Sequence, residues 1–276
     1  MNKKYILPIM ITGFGALMLG CAERVPPIEN QWISLFNGKD LDGWDIKISG
    51  YPLNENYKNT VRVEDGIMKI SYDQYDQWND EFAHIFYKQK FSHYRLRMEY
   101  RFVGEQVPGG QTWALLNSGV MLHSQSPESM ELNQNFPVSV EMQFLSKVDT
   151  LDRSTGNLAS PGTHVQYNDS LYTNHMLYSS GSVYPLEQWV AVEAVVLGDS
   201  IIHHIVEGDT VLTYRQPEIG GWELETETGW VEDKSWVTQA KGTKLTEGYI
   251  ALQGESHPVH FRKIELLDLS DEYDLP

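Results

Sequence analysis

The 276-residue chain has a single cysteine, Cys21, so it cannot form an intramolecular disulfide. Basic residues are also scarce, because 21 Lys and Arg stand against 38 Asp and Glu and the formal net charge is −17. An acidic surface repels the phosphate backbone of nucleic acids, so we expect no nucleic-acid partner. A chain of this length buries enough apolar surface to fold without disulfides. The composition therefore favours a stably folded domain that binds neither DNA nor RNA.

The N-terminus lacks an apolar run of the length that crosses a bilayer, about 20 residues. Lys3 and Lys4 precede an uncharged apolar run at 5–19, and Gly20 stands directly before Cys21. A positive region, an apolar run and a small residue before a cleavage point are typical of a secretory signal peptide. A cysteine at that point is the expected acceptor of a diacylglyceryl group in a bacterial lipoprotein. The alternative is an ordinary secreted protein, cleaved elsewhere, in which Cys21 is incidental.

These features divide the chain into a signal peptide at 1–20, a tether at 21–31 and one domain at 32–270. Pro26 and Pro27 are typical of an extended tether. We expect the protein in the bacterial cell envelope, on the periplasmic or cell-surface side, with the membrane as a partner through the lipid anchor.

The rest of the sequence shows little helical periodicity and many short runs of alternating apolar and polar residues. Such runs, bounded by Gly, Asn and Asp, are typical of strands with one buried face. The predicted strands are 60–63, 67–71, 83–87, 94–103, 119–123, 138–145, 189–197, 201–207, 210–214, 248–254 and 259–267. Turn signals at 64–66 and 208–209 predict tight hairpins. Many strands with turns between them predict an all-β sandwich of two sheets.

Three connections are unusually long, and loops beyond about 12–15 residues are commonly functional. They cover 104–116, 150–185 and 215–247. The third carries Trp222, Trp230 and Trp236, which either pin the loop to the sandwich or contact a ligand. We take Trp222 as a candidate for substrate binding.

Five blocks of the sequence are distinctive. They are 35–44 (LFNGKDLDGW), 94–102 (YRLRMEYRF), 117–122 (NSGVML), 140–143 (VEMQ) and 248–253 (GYIALQ), the last followed by Glu255, Pro258, Phe261 and Arg262. These blocks resemble the 3-keto-disaccharide hydrolase family, long described as a domain of unknown function. The first and last blocks are specific to the family. The resemblance implies a concanavalin A-like jelly-roll sandwich of two antiparallel sheets, an exported location, and activity on sugars oxidised at C3.

Hydrolysis of an ordinary glycoside requires two carboxyl groups about 5–9.5 Å apart. On a strand, alternate side chains share a face, so a partner for Glu141 would stand at 143 or 145. These positions are Gln143 and Leu145, so a retaining glucanase of this design is disfavoured.

A 3-keto sugar requires less, because its carbonyl acidifies the proton on C2. One base can remove that proton, the glycosidic oxygen on C1 is expelled, and water can add to the resulting enone. The reaction needs one general base, a donor or metal for the enediolate oxygen, and an acid for the leaving group.

Glu141 is the leading candidate for the base. The apolar residues of 138–144 would face the core, which turns Glu141 and Gln143 onto the opposite, concave face; a solvated strand glutamate is the alternative. Asn117 and His123 would share one face because their spacing is even. His123 is the second catalytic candidate, since it could bind a hydroxyl or a metal or act as an acid. Its alternative is a surface polar residue.

Gln253 and Glu255 also share a face by even spacing, and with Asn117 and Gln143 they are candidates for substrate binding. Arg262 is a further candidate that could instead pair with a buried carboxylate from the core. No zinc pattern is present, and no cofactor is evident, although loop oxygens leave room for a divalent ion. We therefore expect a carbohydrate-cleaving hydrolase or lyase acting on 3-keto-glycosides. A non-catalytic carbohydrate-binding lipoprotein and a structural envelope protein are the alternatives.

Overall fold

A computed structural model describes residues 31–149, 151–225 and 231–273. The predicted signal peptide, Cys21, the tether up to residue 30 and Trp230 lie outside these described residues. Within the described ranges, no helix has the length and apolar character needed to cross a membrane.

The described residues form seventeen strands in two sheets. In chain order they are β1 (Ile33–Ser34), β2 (Trp44–Ile48), β3 (Val61–Glu64), β4 (Ile67–Ile70), β5 (Ala83–Tyr87), β6 (His93–Phe102), β7 (Asn117–Ser124), β8 (Val140–Leu145), β9 (Asn157–Ala159), β10 (Thr163–Tyr167), β11 (Ser170–Tyr172), β12 (Met176–Leu177), β13 (Val190–Leu197), β14 (Ile201–Val206), β15 (Asp209–Ile219), β16 (Tyr249–Gly254) and β17 (Val259–Asp268). The helices are short: 3-10 turns at Tyr57–Asn59, Thr112–Ala114 and Pro127–Ser129, and α1 (Trp222–Glu225), α2 (Val237–Ala240) and α3 (Ser270–Tyr273).

The ten-stranded sheet has the order β11-β10-β15-β14-β13-β6-β17-β4-β3, with β1 beside β17. The seven-stranded sheet has the order β12-β9-β8-β7-β16-β5-β2. Their strand pairs are antiparallel. The two-sheet antiparallel sandwich predicted from the sequence is therefore confirmed.

The core lies between the sheets and is filled by the alternate residues of each strand. Val140, Met142 and Phe144 of β8 are fully buried in it. Phe144 stacks on Tyr100 of the ten-stranded sheet, with ring centroids 4.3 Å apart and planes at 7°. Burial of each such side chain contributes about 1.5–3 kcal/mol. The same alternation turns Glu141 and Gln143 of β8 away from the core, as the sequence pattern predicted.

Both predicted hairpins are present, and each has a two-residue turn. Asp65 and Gly66 have φ of 54° and 75°, and Glu207 and Gly208 have φ of 49° and 91°. Two successive positive φ values define a type I′ turn, which matches the twist of the flanking strands and favours glycine at the second position. The second turn begins one residue earlier than predicted, because Asp209 already belongs to β15.

Every predicted strand occurs, with its ends shifted by a few residues. The structure adds β1, β2 and the four short strands β9 to β12. The last four lie within 150–185, which the sequence analysis treated as one long connection. Two of them, β9 and β12, extend the seven-stranded sheet beyond β8 and line the cleft described next.

Candidate active site

A cleft of about 960 Å³ lies on the face of the seven-stranded sheet that is turned away from the ten-stranded sheet. Its floor comes from β7, β8 and β9, and each of the three predicted long connections contributes to its walls. The other half of this face is covered, because Met130 and Phe136 pack there against Phe86, Met121 and Ala251. The loop between β7 and β8 that carries Met130 and Phe136, here called the covering loop, thus leaves only the part of the sheet around β8 open to a ligand.

A row of polar residues crosses this face from β2 to β9. Strand register aligns Lys47, His84, Gln253, Gly119, Gln143 and Asn157. Lys47 closes one end of the row, where its Nζ donates to the carbonyl of Leu132 (2.9 Å) and ties the covering loop to the sheet. Burial lowers the pKa of His84 to about 3, so its imidazole is neutral. The open end of the row, at β8 and β9, is the floor of the cleft.

Glu141 lies on β8, two residues before Gln143, and its carboxyl group lies over Gly119 of β7. A Cβ atom at Gly119 would lie 2.2 Å from Glu141 Oε1, so only glycine leaves room for this orientation. The carboxyl group reaches towards Gln253, and only 5% of the residue is exposed. Burial raises the pKa of Glu141 to about 8, and the side-chain amide of Gln253 partly opposes this rise.

Glu255 follows the end of β16 and is a second buried carboxyl group in the same cleft, 3% exposed. Burial and the neighbouring carboxyl of Glu141 raise the pKa of Glu255 well above its usual value, and Arg153 partly opposes this effect. Arg153 is half-buried and donates through Nη1 to the carbonyl of Leu115 (2.6 Å). The prediction of a single base without a paired acid is therefore wrong, because the partner comes from another strand end. At neutral pH the pair keeps at least one proton.

Amide side chains complete the floor of the cleft. Asn157 donates through Nδ2 to Gln143 Oε1 (3.2 Å) and accepts from the backbone N–H of Ser179 at 2.9 Å. Asn117 donates to the carbonyl of Trp113 (3.2 Å), and its buried Oδ1 has no hydrogen-bond partner among the described residues. A buried acceptor that lines a cleft is suited to a ligand hydroxyl. The predicted binding residues Asn117 and Gln143 therefore meet Glu141 in one place.

The rim of the cleft carries three largely exposed aromatic side chains, those of Trp113, Tyr178 and Trp222. Trp113 is held by stacking on Phe82, with centroids 6.0 Å apart and planes at 9°. Of the tryptophans in the third long connection, Trp222 lies at the cleft, whereas Trp236 packs against a small separate core. Sequence reasoning missed Trp113 and Tyr178, because no pattern separates rim aromatics from buried ones.

His123 does not join the site. A bulge between β16 and β7, with φ of 49° at His123, breaks the alternation, so the predicted shared face with Asn117 is wrong. The Nε2 atom of His123 lies 3.0 Å from the carbonyl of Gly198, in the turn between β13 and β14. Its ring meets that of Tyr94 edge-on. His123 therefore bridges the two sheets on the side opposite the cleft.

Arg262 also lies elsewhere, on the ten-stranded sheet. Its Nε donates to Glu99 Oε2 (2.6 Å), and its guanidinium carbon lies 4.0 Å from the centre of the Trp189 ring. The structural alternative was a pairing with a buried carboxylate from the core; Arg262 does pair with a carboxylate, but Glu99 is half-buried and not part of the core. Among the described residues, no cluster of three or more His, Cys, Asp or Glu side chains could hold a metal ion.

Comparison with known families places this cleft in context. The model of the 3-keto-alpha-glucoside-1,2-lyase-like domain matches residues 31–267, and the chain belongs to that family. The family resemblance read from the sequence blocks is thereby confirmed, and it supports a carbohydrate-active protein. A search of curated protein sequences finds no match to the chain.

The chain is similar to several solved structures, and the first of the following shares its fold. A "putative glycosyl hydrolase" from Parabacteroides distasonis ATCC 8503 is 18% identical with a TM-score of 0.51, covering 87% of this chain and 100% of that one. A second from the same organism is 17% identical with a TM-score of 0.48, covering 86% and 94%. A Bacillus subtilis protein with a galectin-like fold is 11% identical with a TM-score of 0.44, covering 86% and 94%.

Proposed function

We propose that this protein cleaves glycosides of 3-keto sugars by β-elimination followed by hydration. The observation that carries the proposal is the pair of buried carboxyl groups, Glu141 and Glu255, in one cleft of a domain from this family. Burial raises the pKa of both groups, which favours one as a strong base and the other as a proton donor.

In the elimination step, the Glu141 carboxylate takes the proton from C2 of the sugar. The C2–H electron pair becomes the C1=C2 double bond as the C1–O bond breaks. The Glu255 carboxyl group donates its proton to the departing oxygen, which leaves as an alcohol. The Oε1 atom of Gln143 already accepts from Asn157, which leaves the Gln143 –NH2 group as the donor for the developing charge on the C3 oxygen.

An ordinary retaining glycosidase also uses two carboxyl groups, and Glu255 brings that reaction into consideration. Glu141 must be a carboxylate in either reaction. Burial raises its pKa and so makes that carboxylate a stronger base, which suits the removal of a weakly acidic C–H proton. The electrostatics of Glu141 therefore favour elimination.

A non-catalytic carbohydrate-binding protein is the second candidate, and the aromatic rim favours it. Exposed Trp and Tyr rings stack on sugars in binders and enzymes alike. A binder, however, has no use for two neighbouring buried carboxyl groups whose pKa values are raised. Glu141→Gln separates the candidates, because binding would survive this change and cleavage would not.

We also propose, from the N-terminal sequence alone, that the chain is exported and lipid-anchored through Cys21. Metabolic labelling with a radioactive fatty acid should mark the wild-type protein and leave Cys21→Ser unlabelled. Equal labelling of both would contradict the anchor.

The test of the reaction is release of the leaving group from 3-keto-glucosides and from their unoxidised parents, with and without a chelator. We expect cleavage of the oxidised compounds only, and its loss in Glu141→Gln. Equal cleavage of the parents would favour the ordinary glycosidase. Sugar binding without cleavage of any compound would favour the binding protein, and sensitivity to the chelator would reveal a metal.

A further inference from the structure

A histidine–glutamate pair that the elimination step does not use lies at the wall of the cleft. His175 precedes β12, and its carbonyl accepts from the backbone N–H of Ser160 (3.0 Å). Register places Met176 beside Ala159 and Ala159 beside Glu141. At the usual spacing of strands, Met176 therefore lies roughly 10 Å from Glu141. His175, the residue before it, lines the wall of the cleft.

The partner of His175 fixes how its imidazole is protonated. Glu223 Oε1 lies 2.7 Å from Nδ1, and the exposed fractions of the two side chains are 2% for Glu223 and 34% for His175. A carboxylate only accepts hydrogen bonds, so Nδ1 carries a hydrogen, and in the neutral imidazole Nε2 has the lone pair. Within the described residues, no hydrogen bond reaches Nε2. A half-exposed imidazole with a free Nε2 in a cleft has the arrangement of a general base held by a carboxylate.

The pair is supported from two separate elements. His175 is fixed by the edge of the seven-stranded sheet, and Glu223 belongs to α1. The next residue of α1, Leu224, is fully buried against Val138, Val231 and Val237. The backbones of His175 and Glu223 are therefore held in place independently of each other. The contact between the two side chains then fixes the orientation of the imidazole and of the carboxyl group.

Resting on the proposed function, we infer that His175 is the base of the hydration step, with Glu223 as its positioning residue. Water donates a proton to His175 Nε2 as its oxygen bonds to C1 of the enone. The C1=C2 electrons move to C2, which takes back a proton from the Glu141 carboxyl group. The product is a reducing 3-keto sugar, and Glu141 is again a carboxylate. His175 returns its proton to solvent, and Glu255, which gave its proton to the leaving group, takes one up from solvent, so the site is restored.

Glu255 is the competing base for this step, because it is a carboxylate after the elimination. In the proposed elimination, however, it faces the departing alcohol, which has to leave before water can take its place. His175 has no such constraint. The assignment explains why the cleft has a third proton-transfer group opposite the first two.

The test supplies the enone, 2-hydroxy-3-keto-glucal, directly as the substrate and follows its hydration by ultraviolet absorbance. We expect His175→Asn and Glu223→Gln to hydrate it at least about 100-fold more slowly than the wild type, with added imidazole restoring His175→Asn only. His203→Gln, which alters a histidine bonded to Thr213 on the ten-stranded sheet, is the matched control and should hydrate normally. Unchanged hydration in both His175→Asn and Glu223→Gln, with correct folding by circular dichroism, would overturn the inference.

The same variants are then tested on a 3-keto-glucoside. We expect release of the leaving group to stay within about threefold of wild type while the enone accumulates, because elimination does not use the dyad. An equal fall in elimination and hydration would overturn the inference in favour of a merely structural pair. Failure of the wild type to cleave glycosides, with hydration of the supplied enone intact, would count against the proposed elimination and not against His175.

Discussion

Replacing Glu141 by glutamine should make the protein more stable at alkaline pH while abolishing its activity. The carboxyl group lies in a buried position that raises its pKa from 4.5 to about 8. Below pH 4.5 it is protonated in the folded and unfolded states alike and contributes nothing to pH dependence. Between these two values the unfolded chain releases the proton and the folded chain retains it. Stability therefore falls as pH rises through this window and stays low above it.

The size of the effect follows from the two pKa values. A rise from 4.5 to about 8 corresponds to at most about 5 kcal/mol of lost stability at high pH. Glutamine fits the space over Gly119 and carries no charge, so it removes this loss. Because Glu255 remains and is no longer opposed by a second carboxylate, its own ionisation becomes easier in the variant.

The assay is urea unfolding of the wild type and Glu141→Gln at pH 5 and pH 9, with cleavage of a 3-keto-glucoside measured alongside. We expect the variant to gain several kcal/mol over the wild type between the two pH values, and to lose at least about 100-fold in turnover. Glu193→Gln, at an ion pair with Arg95 on the ten-stranded sheet, is the control and should show neither effect. A stability difference that does not change with pH would refute the burial argument.

Four further predictions follow from the site. In a pH–rate profile, kcat/KM should rise about tenfold per pH unit up to about 8, where Glu141 ionises; an acid limb near 4.5 would contradict this. Gly119→Ala should keep its backbone but displace the Glu141 carboxyl, lowering turnover about 100-fold with little change in melting temperature; normal turnover would show that the carboxyl does not need the space. Trp113→Ala should raise KM about two- to tenfold with kcat nearly unchanged, and an equal loss in kcat would place the ring at the chemistry instead. Arg262→Ala should leave kcat/KM unchanged, because the partners of Arg262 lie on the ten-stranded sheet. It should lower the free energy of unfolding by up to about 1 kcal/mol in urea titrations, and a loss of activity would show that Arg262 does contribute to the site.

Alternation along single strands was enough to predict the sandwich and the outward direction of Glu141. That inference uses only one strand and the apolar character of its neighbours, Val140, Met142 and Phe144. It failed for His123, because a single bulge moves a side chain to the other face and leaves no mark in composition.

The pairing of Glu141 with Glu255 could not be predicted, because it depends on register between strands far apart in sequence. The same register places Gly119 beneath the carboxyl group, so the block at 117–122 has its glycine for a steric reason. His175 and Arg153 were missed for another reason. They lie in a stretch of very short strands, where periodicity has too few residues to show.

The central claim is that Glu141 removes the proton from C2 of a 3-keto sugar. The most direct measurement compares a 3-keto-glucoside carrying deuterium at C2 with its protonated form, following release of the leaving group and the label in the product. The account predicts slower cleavage of the deuterated compound, loss of the deuterium to solvent, and no reaction in Glu141→Gln. Deuterium fully retained at C2 in the cleaved product, with equal rates for both compounds, would contradict it.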